Sequence, residues 1–266
     1  MNTRFGTIAS GSSGNCAYAG LGGEHFLIDA GISGKKIAAG IERFAVPKLS
    51  GILVTHEHSD HVRGLGIAAR RFKVPVYATP LTWRYFLRHG TIGPMPEELV
   101  KHVEPNQPFT IGDVKITAFD IPHDASQPVG YTLQAGEEKI AIATDLGEAT
   151  DTIRTHMQGA GLMYIESNHD IEMVKNGRYH ISLKQRVLSA RGHLSNAACG
   201  VLLADICGGL ASHLRPHVLL AHLSEENNRP MLAYDTVLRV LDGHEVKVRR
   251  LAVAERDVPG ELIFLS

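Results

Sequence analysis

Residues 55–61, Thr-His-Glu-His-Ser-Asp-His, hold three histidines and two acids within seven positions. Imidazole and carboxylate are the ligands of zinc and its borderline neighbours, and catalytic centres keep one coordination position open for water. The stretch follows the β-branched run Ile-Leu-Val-Thr and precedes a helix-like segment, so it sits where a buried strand turns into a helix. On a helix, residues two apart point about 200° away from each other and cannot share an ion, whereas extended backbone puts His56 and His58 on one side and Glu57 on the other. Asp60 and His61 come after the turn and approach a neighbouring point from a new direction. That geometry predicts two metal ions rather than one.

Two histidines do not complete a site, so further ligands are required downstream. Three polar residues each close an apolar run: His123 after DVKITAFDIP, Asp145 after KIAIAT and His222 after HVLLA. Strand ends are where α/β sheets gather their active-site groups. His56, His58 and His123 are therefore assigned to one ion, Asp60, His61 and His222 to the other, with Asp145 bridging the pair. His25, His89, His102, His156, His213, His217 and His244 fall outside any ligand pattern and are expected as surface or hydrogen-bonded core groups.

These groups need a scaffold, and 266 residues with 44% apolar content suffice for a large core, read as a single domain over residues 1–266. Strand-like runs (TRFGTIAS, EHFLIDA, GILVTH, PVYAT, DVKITAFDI, VGYTLQA, KIAIATD, LMYIES, HVLLAH) alternate with helix-like segments at 34–44, 60–72, 81–89, 150–158, 183–190, 195–210 and 230–241. Hairpin cues at QAGEEK and breaks at GPMPEE make the middle antiparallel, so two sheets flanked by helices fit better than a Rossmann layout. The 27 Lys and Arg against 28 Asp and Glu give a net charge of −1, so any polyanion must be held by a local patch. RRFK, KNGR, LKQR and KVRR are local cationic runs, although such runs are usually solvated faces. Cys16, Cys199 and Cys207 form no CxxC pair and are expected as small buried hydrophobes in a reducing compartment. With neither a secretory leader nor a membrane-length apolar run, the expectation is a cytoplasmic protein without membrane contact.

The order HxHxDH, then His, Asp and His, resembles the metallo-β-lactamase superfamily from Thr3 to His222. The resemblance implies an α/β fold, the αβ/βα four-layer sandwich with two mixed β-sheets. Zinc lactamases of that superfamily commonly place Cys where Asp145 stands here, which disfavours lactamase activity; a bridging carboxylate suits binuclear thioesterases and phosphodiesterases. ASGSSGNCAYAG, EHSDHVRGLGIAARRFKVPVYAT, HDASQPVGY, ATDLG, ESNHD (166–170), GHLSN (192–196) and AHLSEENNRP closely resemble the YycJ/WalJ-type branch, whose members are regarded as exonucleases on double-stranded DNA from the 5′ end. Tyr179–His180 departs from the Tyr-Pro of that branch and puts only a local turn in question.

GHLSN also resembles an element of ribonuclease Z-like relatives, and by that likeness His193 protonates the leaving oxygen while Glu166 orients it. An imidazole held by a carboxylate is charged near neutrality, as an acid needs; the competing reading has His193 merely opening a helix. Ser12, Ser13 and Asn15 form either a tight turn or a phosphate cradle. His169 is either a substrate contact or a helix cap, and Asn227 and Asn228 read as helix-start and turn residues. The expected function is a binuclear metal-dependent phosphodiesterase, a 5′-to-3′ exonuclease on double-stranded DNA. It would use two divalent ions (zinc or manganese, with iron also compatible) and a metal-bridging hydroxide, aimed by Asp60, for in-line attack on phosphorus. DNA as partner rests mainly on the resemblance. The alternatives are a glyoxalase II-like thioester hydrolase and a non-catalytic metal-binding regulatory protein.

Overall fold

Strands buried on both faces demand a layer on each side, and the inner strands of this chain have that pattern. In Leu162–Glu166 every residue is buried, Leu162 and Tyr164 in one core, Met163 and Ile165 in another. The computed structural model, which describes residues 3–265, resolves this into two facing seven-stranded sheets. The first contains β1 (Thr3–Ala9), β2 (Cys16–Leu21), β3 (Glu24–Ile28), β4 (Gly51–Leu53), β5 (Val76–Ala78) and β6 (Val100–His102). The second contains β7 (Phe109–Ile111), β8 (Val114–Asp120), β9 (Val129–Ala135), β10 (Glu138–Ala143), β11 (Leu162–Glu166), β12 (His217–Ala221) and β13 (Arg250–Val253), and β14 (Ile263–Leu265) returns to the first beside β1. Each sheet is mixed: β3 to β6 and β10 to β13 pair in parallel, while the β14-β1-β2-β3 and β7-β8-β9-β10 pairings are antiparallel.

Phe5, Phe26, Ile116, Tyr131 and Ile142 fill the space between the sheets. Outside the first sheet, Tyr18, Ile52 and Leu27 meet α1 (Gly34–Arg43), α2 (Ser59–Val62), α3 (Leu65–Phe72) and α4 (Pro80–His89) through Ile37, Val62, Leu65, Trp83 and Phe86. Outside the second, Met163, Ile165 and Leu220 meet α5 (Asp151–Met157), α8 (Asn196–Cys207) and α9 (Pro230–Gly243). Emptying one such aromatic position to Ala costs about 3–5 kcal/mol. The helices α6 (Ile171–Asn176) and α7 (Ile181–Val187) lie in the connection from β11 to α8. The result is the four-layer sandwich. Among the described residues no helix is long and apolar enough to cross a membrane, and all three cysteines are buried and unpaired.

Several expected boundaries shift for local reasons. The segment 60–72 is two helices, because Gly64 ends α2 in close contact with the 30–32 loop; its amide donates to Ala30 O at 2.8 Å, and a Cβ there would lie 2.0 Å from Ile32 O. The helix expected at 183–190 is Ile181–Val187, because the His180 side chain caps it by accepting from the Ser182 amide. Ser195 and Thr150 are N-caps rather than first turns, as their short hydroxyls favour. The strands β2, β6, β7, β13 and β14 were not anticipated. β2 is Ala- and Gly-rich, and the other four are edge strands of three or four residues, too short to display alternation.

Candidate metal centre

The parallel strands end at one rim of the sandwich, and loops leaving that rim carry the titratable groups. Three of these leave their strands in left-handed backbone: Asp29 (φ 59°) after β3, Asp145 (φ 60°) after β10 and His222 (φ 53°) after β12. Such conformations cost on the order of 1–3 kcal/mol and persist where the surroundings over-determine them. The turn carrying Asp60 is wedged equally tightly. Asn15 N donates to Asp60 O at 2.7 Å, Gly31 N donates to Asn15 O at 2.8 Å, and a Cβ on Gly31 would fall 1.6 Å from Asp60 O. Only glycine fits there.

The side chains of His56, His58 and His123 each offer one nitrogen within 4.8 Å of the others, and so do those of Asp60, His61 and His222 with a carboxylate oxygen. Asp145 stands between the groups: Oδ2 is 3.2 Å from His61 Nε2, and Oδ1 is 3.8 Å from His123 Nε2 and 3.4 Å from His222 Nδ1. All seven sequence-assigned ligands thus gather in one place. The donor set fits divalent cations, and two of its atoms lack any other function: His56 Nε2 and Asp145 Oδ2 are fully buried without a hydrogen bond. Leaving such groups unpaired is costly unless something else occupies them.

The outer nitrogens are held by identifiable partners. His123 Nδ1 donates to Gly192 O at 3.0 Å, and His61 Nδ1 to Asp29 Oδ2 at 2.7 Å. His56 Nδ1 donates to Thr55 Oγ1 at 3.0 Å, which itself donates to Asp29 Oδ2 at 2.9 Å. His222 Nδ1 donates to Glu166 Oε1 at 2.8 Å. These contacts leave Nε2 of the four rings for an ion, the arrangement by which outer partners fix imidazole orientation. His58 differs; its Nδ1 faces His123 Nε2 at 3.3 Å. Asp29 and Thr55 were missed in the sequence, although Asp29 closes the apolar run Phe-Leu-Ile as Asp145 closes its own.

Glu166 is fully buried and serves more than one ring. Besides His222, Oε1 accepts from His193 Nδ1 at 2.9 Å, while Oε2 accepts from the amides of Leu146 and Leu194 at 2.8 and 3.1 Å. Burial opposes its ionisation, but the neighbouring His193 and the hydrogen bonds from His193 and His222 bring its carboxyl down to about 2. Burial likewise works against charge on His61 and His222, and the surrounding carboxylates overcome it. His61 is raised by Asp145, Asp29 and Asp60, and His222 up to about 10 by Asp145, Asp60 and Glu166. Asp60 is held well below the usual carboxylate range by His61 and His222 despite its burial. Desolvation instead dominates at His56 and His123, which are pushed down.

The remaining site candidates separate. Asn15 is buried, and its side-chain amide lies 3.0 Å from His61 Nε2 and 3.3 Å from Asp60 Oδ2, so it touches the ligand cluster itself. Ser12 and Ser13 are exposed in the preceding turn, and their hydroxyls make no hydrogen bond to described residues. His169 does not cap α6; Asp170 does, accepting from Met173 N at 2.9 Å. His169 is buried, its Nδ1 unpartnered, and burial brings it down to about 4. Asn228 is no simple turn residue: its side-chain amide donates to Ser167 O and Asn168 O, both at 2.9 Å, bracing the loop after β11. Glu57 accepts from the amide and hydroxyl of Ser126 at 2.7 and 2.6 Å and ties the His56–His58 loop to the His123 loop.

A family model described as the Beta-lactamase superfamily domain matches residues 24–200. The chain is 39% identical to the exodeoxyribonuclease YycJ of Bacillus anthracis over 252 residues, covering 91% of this chain and 90% of that protein. It is 36% identical to the exodeoxyribonuclease WalJ of Streptococcus pneumoniae, covering 90% and 88%. Among solved structures, the metallo-β-lactamase fold protein YhfI from Bacillus subtilis superimposes with a TM-score of 0.69 at 17% identity, covering 99% of both chains.

Proposed function

Since the chain belongs to the β-lactamase superfamily, in the family of the YycJ and WalJ exodeoxyribonucleases, we propose that this enzyme is a binuclear phosphodiesterase that degrades double-stranded DNA from the 5′ end. His56, His58 and His123 would hold one divalent cation, and Asp60, His61 and His222 the other, with Asp145 available to both. Zinc and manganese both suit this mixture of imidazole and carboxylate. When bound, the pair makes water a nucleophile near neutral pH and offsets charge on the phosphoryl oxygens.

The chain's own groups do the rest. Asp60, ionised and directed by His61 and His222, accepts a hydrogen bond from the attacking water and aims it at phosphorus. Glu166 keeps His193 oriented through Nδ1, so Nε2 is the nitrogen that gives its proton to the departing sugar oxygen as the P–O bond breaks. The exposed Ser12 and Ser13 contact the substrate, and Asn15 steadies Asp60 from the loop they share; His169, buried with a free Nδ1, would reach the substrate only through a shift of its loop. The Glu166–His193 pair beside the ligand cluster carries the preference for a phosphodiester. A thioester expels a thiolate, whose conjugate acid has a pKa near 8.5, without help, whereas a sugar alkoxide must be protonated as it leaves. On this reading residues 1–266 work as one domain acting on DNA in the cytoplasm.

The test is a parallel assay of metal-loaded enzyme on 5′- and 3′-labelled duplex DNA, bis(4-nitrophenyl) phosphate and a glutathione thioester. Mononucleotide release from the 5′ end, absent in Asp60→Ala, is the expected result; hydrolysis of the thioester alone would replace this reading with the thioesterase one.

A further inference from the structure

The helix α4 has an unusual outer face. Thr82, Trp83 and Phe86 turn inward and are buried, which leaves Leu81, Arg84, Tyr85 and Arg88 as a second stripe at helical spacing. Arg84 and Arg88 are like charges four residues apart, a pairing that destabilises a helix when nothing neutralises it. Among the described residues no acid lies within ion-pair distance of either arginine or of His89. The stripe does not face open solvent alone. Together with His89 and Ser126 it lines a cleft of about 210 Å³.

Ser126 connects that cleft to the metal centre. It lies three residues beyond His123, and its amide and hydroxyl are bound by Glu57, between His56 and His58. The next residue, Gln127, is bonded to the start of α4 through its carbonyl with Thr79 Oγ1 at 3.1 Å and through its Oε1 with Leu81 N at 3.3 Å. Of the acids nearby, Asp124 is occupied by the Arg186 guanidinium, and Glu57 is buried with its Oε1 taken up by the Ser126 amide and hydroxyl. Inside the cleft, the Tyr85 and His89 rings lie 4.1 Å apart, inclined by 31°. A cationic pair beside such a ring pair is the combination with which single-strand sites hold nucleic acid, charge for the backbone phosphates and a ring for the bases.

We propose that the α4 cleft holds the DNA strand running away from the reacting phosphate, with Arg84 and Arg88 on backbone phosphates and the Tyr85–His89 pair as a stacking surface for a base. This assignment rests on the phosphodiesterase reading, since a thioester substrate has no strand to place there. It makes α4 a determinant of length preference: polynucleotides engage it and small diesters cannot reach it.

The experiment compares metal-loaded wild type with Arg84→Ala/Arg88→Ala, Arg84→Lys/Arg88→Lys and Tyr85→Ala, using a phosphorothioate-capped duplex for binding and labelled duplex DNA and bis(4-nitrophenyl) phosphate for turnover. In the double alanine variant the slope of log affinity against log salt concentration is expected to shrink by about 2, one unit for each lost phosphate contact. The ratio of kcat/KM on DNA to that on the small diester should fall about tenfold, through KM, with the lysine variant restoring most of it because charge is retained. Tyr85→Ala should raise KM for DNA severalfold with the salt slope unaltered. A folded double alanine variant whose salt slope and substrate ratio both match wild type overturns the assignment alone. If wild type itself neither binds nor cuts DNA, the phosphodiesterase reading fails and takes the cleft with it.

Discussion

The two halves of the ligand cluster are built from similar side chains but supported differently. His56 and His123 lean on neutral acceptors, the Thr55 hydroxyl and the Gly192 carbonyl, whereas His61 and His222 lean on the carboxylates Asp29 and Glu166. Proton affinities run the same way: desolvation pushes the first pair down, while Asp145 first, joined by Asp29 and Asp60 at His61 and by Asp60 and Glu166 at His222, raises the second. A carboxylate behind an imidazole makes it a stronger donor, and Asp60 would add a further anionic ligand on the same side. On the proposed assignment, the second half is expected to bind its cation more tightly and the first to empty sooner. Asp145, between them, would make the two interdependent.

Removing that link is the harshest way to break the comparison. Asp145→Ala is expected to abolish nuclease turnover and to leave neither half able to retain its ion through gel filtration, as metal analysis would register. Next in size is His193→Ala, for which a loss of about 10²–10⁴-fold in kcat is expected, the usual range for a positioned proton donor, with both ions still present. Loss of metal in that variant would mean that His193 is a ligand instead. Gly31→Ala drives a Cβ into the Asp60 carbonyl, so a thermal melt should show destabilisation of about 1–3 kcal/mol, and the weakened affinity should be that of the second half.

Asp29→Asn and Glu166→Gln sharpen the contrast without removing any ligand. Each is expected to weaken cation affinity about 10–100-fold, the typical range when an outer partner of a ligand is lost. Calorimetric titration should assign that loss to the tighter of two binding events. Graded chelation of wild type is the mildest test: the ion beside His56, His58 and His123 should leave first, and cobalt substitution would report it as two spectral phases.

The pattern of acids and histidines closing apolar runs was enough to bring His123, Asp145 and His222 together with residues 56–61 on paper, because strand-end loops of parallel strands share one rim. The same pattern marks Asp29, whose run Phe-Leu-Ile-Asp was read only as a strand end. Its importance depends on the Thr55 and His61 contacts, which join residues 26 and 32 positions apart. Helix cores were legible and their ends were not, since caps such as Asp170 and His180 act through one side-chain hydrogen bond. The edge strands β6, β7 and β14 carry three residues each, too few to display alternation; β14 pairs with β1 from the other end of the chain, whereas β7 pairs with β8 across a turn of residues 112–113. Glu57 was expected to turn from the ions, but its grip on Ser126 could not be read from sequence, because it spans 69 positions.

Anomalous diffraction at the zinc edge, from crystals grown with excess zinc, tests the central assignment most directly. The account predicts two peaks on either side of the Asp145 carboxylate, one within bonding distance of His56, His58 and His123, the other of Asp60, His61 and His222. One peak alone, or peaks that leave Asp145 uncoordinated, would contradict it.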